Sequence, residues 1–299
     1  MTRPVLIALP GNEARAGRLA EALNAERADL DYRRFPDGES YLRIDAELAG
    51  RDVVLVATLD RPDPKIPRLL FAADLVRDLG ARTVLLVASY LPYMRQDRRF
   101  HPGEALTSVS FARRISTSFD GLITVDPHLH RYPTLDAVYT IPGRVVSAAP
   151  AVADWIVSSI ARPVVIGPDE ESEQWARAVA EPHGLPWRVM TKERFGDHDV
   201  RITAPDLTGL DGHQPVLVDD ILSSGATLAD AARVLVEAGL PVPACAVVHG
   251  LFGDRARETL TEAGIETVVC TDTVDAPEAR IGLADRIAPA VRRLLPAAR

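Results

Sequence analysis

Residues 216–232, VLVDDILSSGATLADAA, constrain the fold of this chain more than any other stretch. Val216, Leu217 and Val218 form a β-branched-rich apolar run without polar alternation, the pattern of a strand covered on both faces. Leu228, Ala231, Ala232 and Leu235 then recur at helical spacing. Such a strand, followed at once by a helix, belongs in a parallel sheet with helices above and below. Asp219 and Asp220 close the strand, where alternation directs their side chains to opposite faces. Ser223, Ser224, Gly225, Ala226 and Thr227 lead into the helix. They offer hydroxyls, backbone N–H groups and the positive end of a helix dipole, which together suit a phosphate monoester. The carboxylates stand about a sugar's width away, placed to accept hydrogen bonds from vicinal hydroxyls. A simple helix cap by Ser or Thr is the competing reading. It accounts for one hydroxyl residue but not for two adjacent acids.

The same theme runs through the whole chain. In the first half, apolar runs at 4–9, 29–35, 52–59, 83–90 and 121–127 predict strands, and helical patterns cover 12–26, 66–79 and 104–118. In the second half, strands at 163–168, 186–191, 215–220, 242–249 and 265–271 alternate with helices near 171–182, 225–239 and 254–263. A length of 299 residues suits two domains of about 150 residues each. The boundary falls near 143–150, giving domains of 1–146 and 147–299, with a last helix at 282–295 open to either half.

Composition excludes several classes of function. A net charge of −8 argues against a nucleic-acid partner, which would need a basic patch to drive counterion release. No run of eighteen or more apolar residues predicts a membrane span. The opening MTRPVLIALPGNE is too short in apolar residues for a secretory signal and reads as a core strand. Cys245 and Cys270 both fall in strand-like apolar runs, as buried thiols of a cytoplasmic protein do. Of 34 basic residues only Lys65 and Lys192 are lysines, which draws attention to each, since an ammonium and a guanidinium are not interchangeable.

Five further segments carry chemistry. Arg95, Gln96, Asp97, Arg98 and Arg99 follow a strand, where clustered guanidiniums suit polyphosphate oxygens or form a solvated loop. Asp126, His128 and His130 run off another strand and offer nitrogen and oxygen donors for a divalent metal; a zinc hydrolase or structural histidines are the alternatives. Asp169 lies just past the strand of VVIGPDEE, where a carboxylate beside a magnesium-bound polyphosphate is chemically sensible, while Glu170, Glu171 and Glu173 suit a helix N-terminus. Lys192 and Arg194 alternate by two in an extended segment before Gly196 and Asp197, as cations on a closing loop would, or as ordinary surface charge. Phe35, Asp37, Gly38 and Glu39 combine an aromatic and acids at a Gly turn, fit for a purine or for a plain hairpin.

Taken together, the chain resembles the ribose-phosphate diphosphokinase, or phosphoribosyl pyrophosphate (PRPP) synthetase, family. FPDGE at 35–39, RQDRRFHPGE at 95–104, TVDPH at 124–128, GPD at 167–169, KER at 192–194 and DDILSSGAT at 219–227 occur in that family's order. RFHPGE and the short Lys-Glu-Arg loop look like the archaeal-style branch. The resemblance implies two tandem type I phosphoribosyltransferase-like α/β domains with mostly parallel sheets. It also implies an enzyme of nucleotide biosynthesis that transfers the diphosphoryl group of ATP to the 1-hydroxyl of ribose 5-phosphate, with Mg²⁺, releasing AMP.

By the same resemblance, the first domain carries the ATP and metal side and the second the sugar-phosphate side. Asp219, Asp220 and Ser223 to Thr227 would bind ribose 5-phosphate, and Arg95, Gln96 and Asp97 would bind ATP. Phe35, Asp37, Gly38 and Glu39 would reach ATP from a neighbouring subunit, so a homo-oligomer, dimer or larger, is expected. His128 and Asp169 would hold Mg²⁺, and Lys192 and Arg194 would be catalytic. Two positions depart from the family pattern. Glu170-Glu171-Ser172 replaces paired glycines, and Ser224-Gly225-Ala226-Thr227 replaces Thr-Gly-Gly-Thr. A phosphoribosyltransferase using the same sugar-phosphate loop, and a catalytically silent regulatory subunit, are the competing functions.

Overall fold

The computed structural model describes residues 3–129, 131–194 and 200–296, which fall into two compact units. The first comprises the chain up to Val146 together with the segment from Ala284 onward; the second is Ser147–Leu283.

In the first unit the chain runs β1 (Val5–Ala8), α1 (Glu13–Leu23), β2 (Glu26–Ala28), β3 (Leu30–Arg34), β4 (Ser40–Ile44), β5 (Asp52–Ala57), α2 (Ile66–Asp78), β6 (Thr83–Ala88), α3 (Thr107–Ser118), β7 (Gly121–Val125) and β8 (Gly143–Val146). Its sheet has the order β2-β1-β5-β6-β7-β8, every neighbour parallel. Val53, Leu55, Val84 and Leu86 face Leu69, Ala72, Val76, Phe111 and Ile115 of α2 and α3. All are buried, and truncating one such Leu or Ile to Ala typically costs about 2–5 kcal/mol.

The second unit runs α4 (Ala149–Ser159), β9 (Pro163–Gly167), α5 (Glu173–Ala180), β10 (Trp187–Val189), β11 (Thr191–Arg194), β12 (Val200–Thr203), β13 (Gln214–Leu222), α6 (Ala226–Glu237), β14 (Ala244–Gly250), α7 (Ala256–Glu262), β15 (Val268–Thr271) and β16 (Ala279–Ile281). Its parallel sheet has the order β10-β9-β13-β14-β15-β16, with α4 and α5 on one face and α6 and α7 on the other. The last helix, α8 (Ala284–Leu294), belongs to the first unit, where it packs on α1 and on β6 to β8. The apolar face of α8, Ile287, Ala288 and Val291, is buried there. None of the described helices is long and apolar enough to cross a membrane.

The α/β alternation read from the sequence is present, with local differences that have physical causes. The helix expected to 26 stops at Leu23, because Asn24 adopts a left-handed cap (φ 53°) that Asn tolerates. The strand expected over 29–35 is not in the main sheet. It forms an antiparallel hairpin with β4, whose half-exposed SYLRI matches it pair for pair from Leu30–Ile44 to Arg34–Ser40. The expected boundary region contains β8, the edge of the first sheet, and α4 follows directly. In both sheets the direction of winding reverses at one point, between β1 and β5 and between β9 and β13. Open α/β sheets bind ligands beyond the carboxyl ends of the strands at that point.

Candidate active site

The stretch that ends β13 lies at the reversal point of the second sheet. Gly225 is the N-cap of α6 with φ 77°, a conformation that strains any residue with a Cβ, and an added Cβ would stand 3.2 Å from the Ala256 carbonyl oxygen. No side chain caps α6 in the usual manner; Ser224 Oγ only accepts a long bond, 3.4 Å, from the Ala226 N–H. In place of the competing Ser or Thr cap, a turn opens the helix N-terminus, the geometry favoured for an anion. Ser223 and Ser224 are exposed and Thr227 is half-buried.

A strap from the neighbouring strand holds this loop. After β14, the Leu251 and Phe252 N–H groups donate to the Leu222 carbonyl at 2.9 and 3.3 Å, and the Gly253 N–H donates to the Ser223 carbonyl at 2.8 Å. Phe252 is buried beneath the Arg257 guanidinium, 4.3 Å from its ring centre, and Arg257 makes a bidentate pair with Glu278. At the base of the strap, buried His249 hydrogen-bonds through Nδ1 to Thr273 Oγ1 at 2.9 Å. The Thr271 and Thr273 hydroxyls both reach the Val248 carbonyl. Sequence reasoning missed this support. HG at 249–250 and TDT at 271–273 gave no spacing signal, and only strand adjacency brings them together.

The carboxylates interact more closely than strand alternation alone suggests. The Asp220 N–H donates to Asp219 Oδ1 at 2.9 Å, and the two carboxyls lie within hydrogen-bonding reach of each other. Burial pushes the Asp219 carboxyl well above the usual carboxylate range, and the Asp220 and Asp169 carboxylates push it further. Asp169 thus joins Asp219 and Asp220, because β9 and β13 are parallel neighbours. Asp169 also caps the short turn Glu170–Ser172: its Oδ1 accepts from the Ser172 N–H, and Ser172 Oγ accepts from the Asp169 N–H. This reciprocal cap gives Ser172 a structural task and leaves Glu170 and Glu171 exposed. Lys192 and Arg194 occupy alternate positions of β11, across from Ile202 and Val200 of β12. Gly196 and Asp197 lie outside the described residues.

The first unit brings together the remaining segments in two places. Phe35 to Glu39 form the exposed tip of the β3–β4 hairpin. The Phe35 N–H donates to the Glu39 carbonyl, Asp37 Oδ1 accepts from the Glu39 N–H, and Gly38 turns at φ 94°. Phe35 meets Tyr41 edge-on, and the Arg33 guanidinium stacks on both rings. This hairpin tip leaves an aromatic ring and two acids exposed.

The second place is the set of loops after β6 and β7. Arg95 is exposed, and Gln96 is tied through its carbonyl to the Ser108 N–H and hydroxyl at the start of α3. Tyr93, whose hydroxyl donates to Asp63, holds the loop to the preceding one; burial, then the Asp63 carboxylate, pushes its phenol up to about 12. Asp97, expected among the ATP contacts, is paired with Arg131. Its side chain is only 1% exposed, and both oxygens face Arg131 Nη1 at 2.9 and 3.2 Å. His128 is half-buried in the loop after β7; His130 lies outside the described residues.

Residues 5–118 match the family described as the N-terminal domain of ribose phosphate pyrophosphokinase, and residues 136–284 match the phosphoribosyl transferase domain. The ribose-phosphate pyrophosphokinase of Methanopyrus kandleri is 37% identical over 279 residues, 93% of this chain and 94% of that one. That of Methanothermobacter thermautotrophicus is 32% identical, covering 96% of this chain and 100% of its own. A crystal structure of phosphoribosylpyrophosphate synthetase from Mycobacterium smegmatis superimposes with a TM-score of 0.83 at 23% identity, covering 98% and 99% of the two chains, and shows the shared fold.

Proposed function

We infer the reaction from one premise: the chain belongs to the ribose-phosphate pyrophosphokinase family. It transfers the intact β,γ-diphosphoryl group of ATP to the 1-hydroxyl of ribose 5-phosphate, forming PRPP and AMP, a step of nucleotide biosynthesis. The observation that carries this reading is the grouping of Asp169, Asp219 and Asp220 beside an open helix N-terminus at the reversal point of the second sheet. Such a site binds a phosphorylated sugar at both ends, the phosphate on the N–H groups and the hydroxyls on the carboxylates.

In the proposed mechanism, Ser223, Ser224, Gly225, Ala226 and Thr227 hold the 5-phosphate, and Asp219 and Asp220 orient the ribose hydroxyls. Arg95 and Gln96 bind the ATP phosphates, and Phe35, Asp37, Gly38 and Glu39 bind the adenine from a neighbouring subunit. The anomeric oxygen attacks the β-phosphorus; the O1–Pβ bond forms as the bond to the α-phosphate oxygen breaks, AMP leaves, and the hydroxyl proton is released. Lys192 and Arg194 stabilise the charge on the transferred group, each such donor contributing roughly 3–4 kcal/mol. Positioning of the two substrates supplies much of the remaining acceleration.

His128 and Asp169 provide one imidazole nitrogen and one carboxylate. No group of three or more His, Cys, Asp or Glu side chains among the described residues forms a metal cage. Each is a donor type that Mg²⁺ accepts, an ion that keeps several waters and takes other ligands from substrate phosphates. When bound, Mg²⁺ would neutralise charge on the polyphosphate. The test supplies ATP, Mg²⁺ and ribose 5-phosphate and follows AMP and PRPP together. Equal amounts of the two support the reading. Pyrophosphate released from PRPP and a nitrogenous base, with no AMP from ATP, replaces it with phosphoribosyl transfer.

A further inference from the structure

The loop that carries Arg95 and Gln96 is fastened to the loop that carries His128 by an ion pair. The Asp97 side chain is 1% exposed, and its two oxygens are taken by Arg131, whose own side chain is 38% exposed. Three further contacts share the junction. Tyr132 Oη lies 3.5 Å from the Asp97 carbonyl and 3.0 Å from Ser108 Oγ, and Ser108 Oγ donates to the Gln96 carbonyl at 3.1 Å. Outside the pair, exposed Phe100 carries the Arg98 guanidinium 4.4 Å from its ring centre, and the Arg131 guanidinium lies 5.9 Å away. Beyond Phe100 the loop turns back on itself, the Arg99 side chain donating to the Glu104 carbonyl and Glu104 accepting from the Phe100 N–H.

A buried carboxylate whose two oxygens both face one guanidinium is poorly placed to contact a nucleotide as well. We propose that Asp97 is a positioning residue, latched by Arg131, that sets Arg95 and Gln96 for the nucleotide polyphosphate without touching it. This rests on the assignment of Arg95 and Gln96 to ATP made above. The latch adjoins the next residues in sequence, so loosening it displaces the very groups that meet the phosphates. The proposed sugar-phosphate loop is in the other unit, on separate elements.

The test measures equilibrium binding of ATP with Mg²⁺, and separately of ribose 5-phosphate, by calorimetry without turnover. The variants are Arg131→Gln, Arg131→Lys, Asp97→Asn and the double Asp97→Asn/Arg131→Gln. Because Arg131 is partly exposed, its variants keep a cooperative melting transition even where Asp97→Asn does not. Arg131→Gln weakens ATP binding about tenfold and leaves ribose 5-phosphate binding unchanged, Arg131→Lys recovers part of the loss, and the double variant is no weaker than the worse single one. Losses that multiply in the double variant make Asp97 a direct ligand and overturn the proposal, as does an Arg131→Gln variant that binds ATP like the wild type. A wild type that forms no PRPP, with ATP binding still lost through Arg131→Gln, overturns the proposed reaction and leaves the latch standing.

Discussion

At the scale of single residues, the site proposed for the sugar phosphate was legible because its chemistry is contiguous. Asp219 to Thr227 run continuously from the end of β13 into α6, so residue types and spacing sufficed to place the carboxylates, hydroxyls and helix start together. What burial does to those carboxylates was not legible, because Asp169 arrives from fifty residues upstream through strand pairing. The same applies to Asp97, which reads as one of several polar residues until Arg131 closes on it from another loop. The raised Asp219 carboxyl has a consequence for stability. A group that holds its proton more tightly when folded loses stability as pH rises from its unfolded-state value through its folded one. Asp219→Asn has no charge to bury and keeps the oxygen that accepts from the Asp220 N–H. The ligand-free variant should therefore melt above the wild type at pH 7, with the gap closing as pH falls toward the ordinary carboxylate range. Ribose 5-phosphate binding should be lost in the same variant. Thermal scans across that pH range, paired with calorimetry, check both halves, and a variant melting below the wild type at pH 7 contradicts the burial argument.

At the scale of elements, the strongly periodic pieces were legible and the short polar ones were not. β5, β6, β7, β13 and β14 are built around continuous apolar runs that read as covered strands. β2, with the sequence ERA, and β8, with GRVV, carry edge positions whose exposed residues dilute any pattern. The two hairpins, β3–β4 and β11–β12, stand outside both main sheets and hold residues assigned to the reaction. An antiparallel ribbon outside the sheet can alternate polar and apolar residues freely, which hid β4 and β12 but left FPDGE and KER readable as turn and cation pair. β11 places Lys192 and Arg194 on one strand, so their catalytic contribution should be separable from sugar binding. Lys192→Ala should lower kcat by about 10²–10³-fold, the worth of one well-placed donor, while the ribose 5-phosphate Kd stays within about twofold. Steady-state rates beside calorimetric binding decide this, and an unchanged kcat removes β11 from the reaction.

At the scale of the molecule, one topology is used twice with different chemistry at equivalent points. In the second unit the reversal point opens onto the helix N-terminus of α6. In the first unit the same point is filled by its own side chains. Asn12 Oδ1 accepts from the Thr58 N–H at 2.8 Å and from Arg15, and Lys65 is held by Asp60 and the Thr58 carbonyl. Lys65 is thereby occupied in the fold, which leaves Lys192 as the chain's other lysine for the reaction. The first unit instead offers the loops after β6 and β7 and the exposed β3–β4 tip. A tip that projects an aromatic and two acids into solvent suits a site completed by another subunit, and that arrangement predicts complementation. Phe35→Ala/Glu39→Ala should lack the adenine contacts and Lys192→Ala the transferring cation, so each alone is severely impaired. If the tip serves a neighbour's site, a hybrid oligomer contains some sites with both lesions and some with neither. Mixing the two variants one to one, dissociating and reassociating them, should then restore about a quarter of wild-type turnover for random dimers. Recovery should require the dissociation step and should track the hybrid fraction seen by mass spectrometry. Hybrids that form and show no more than the summed activity of the parents would place the hairpin in its own chain's site.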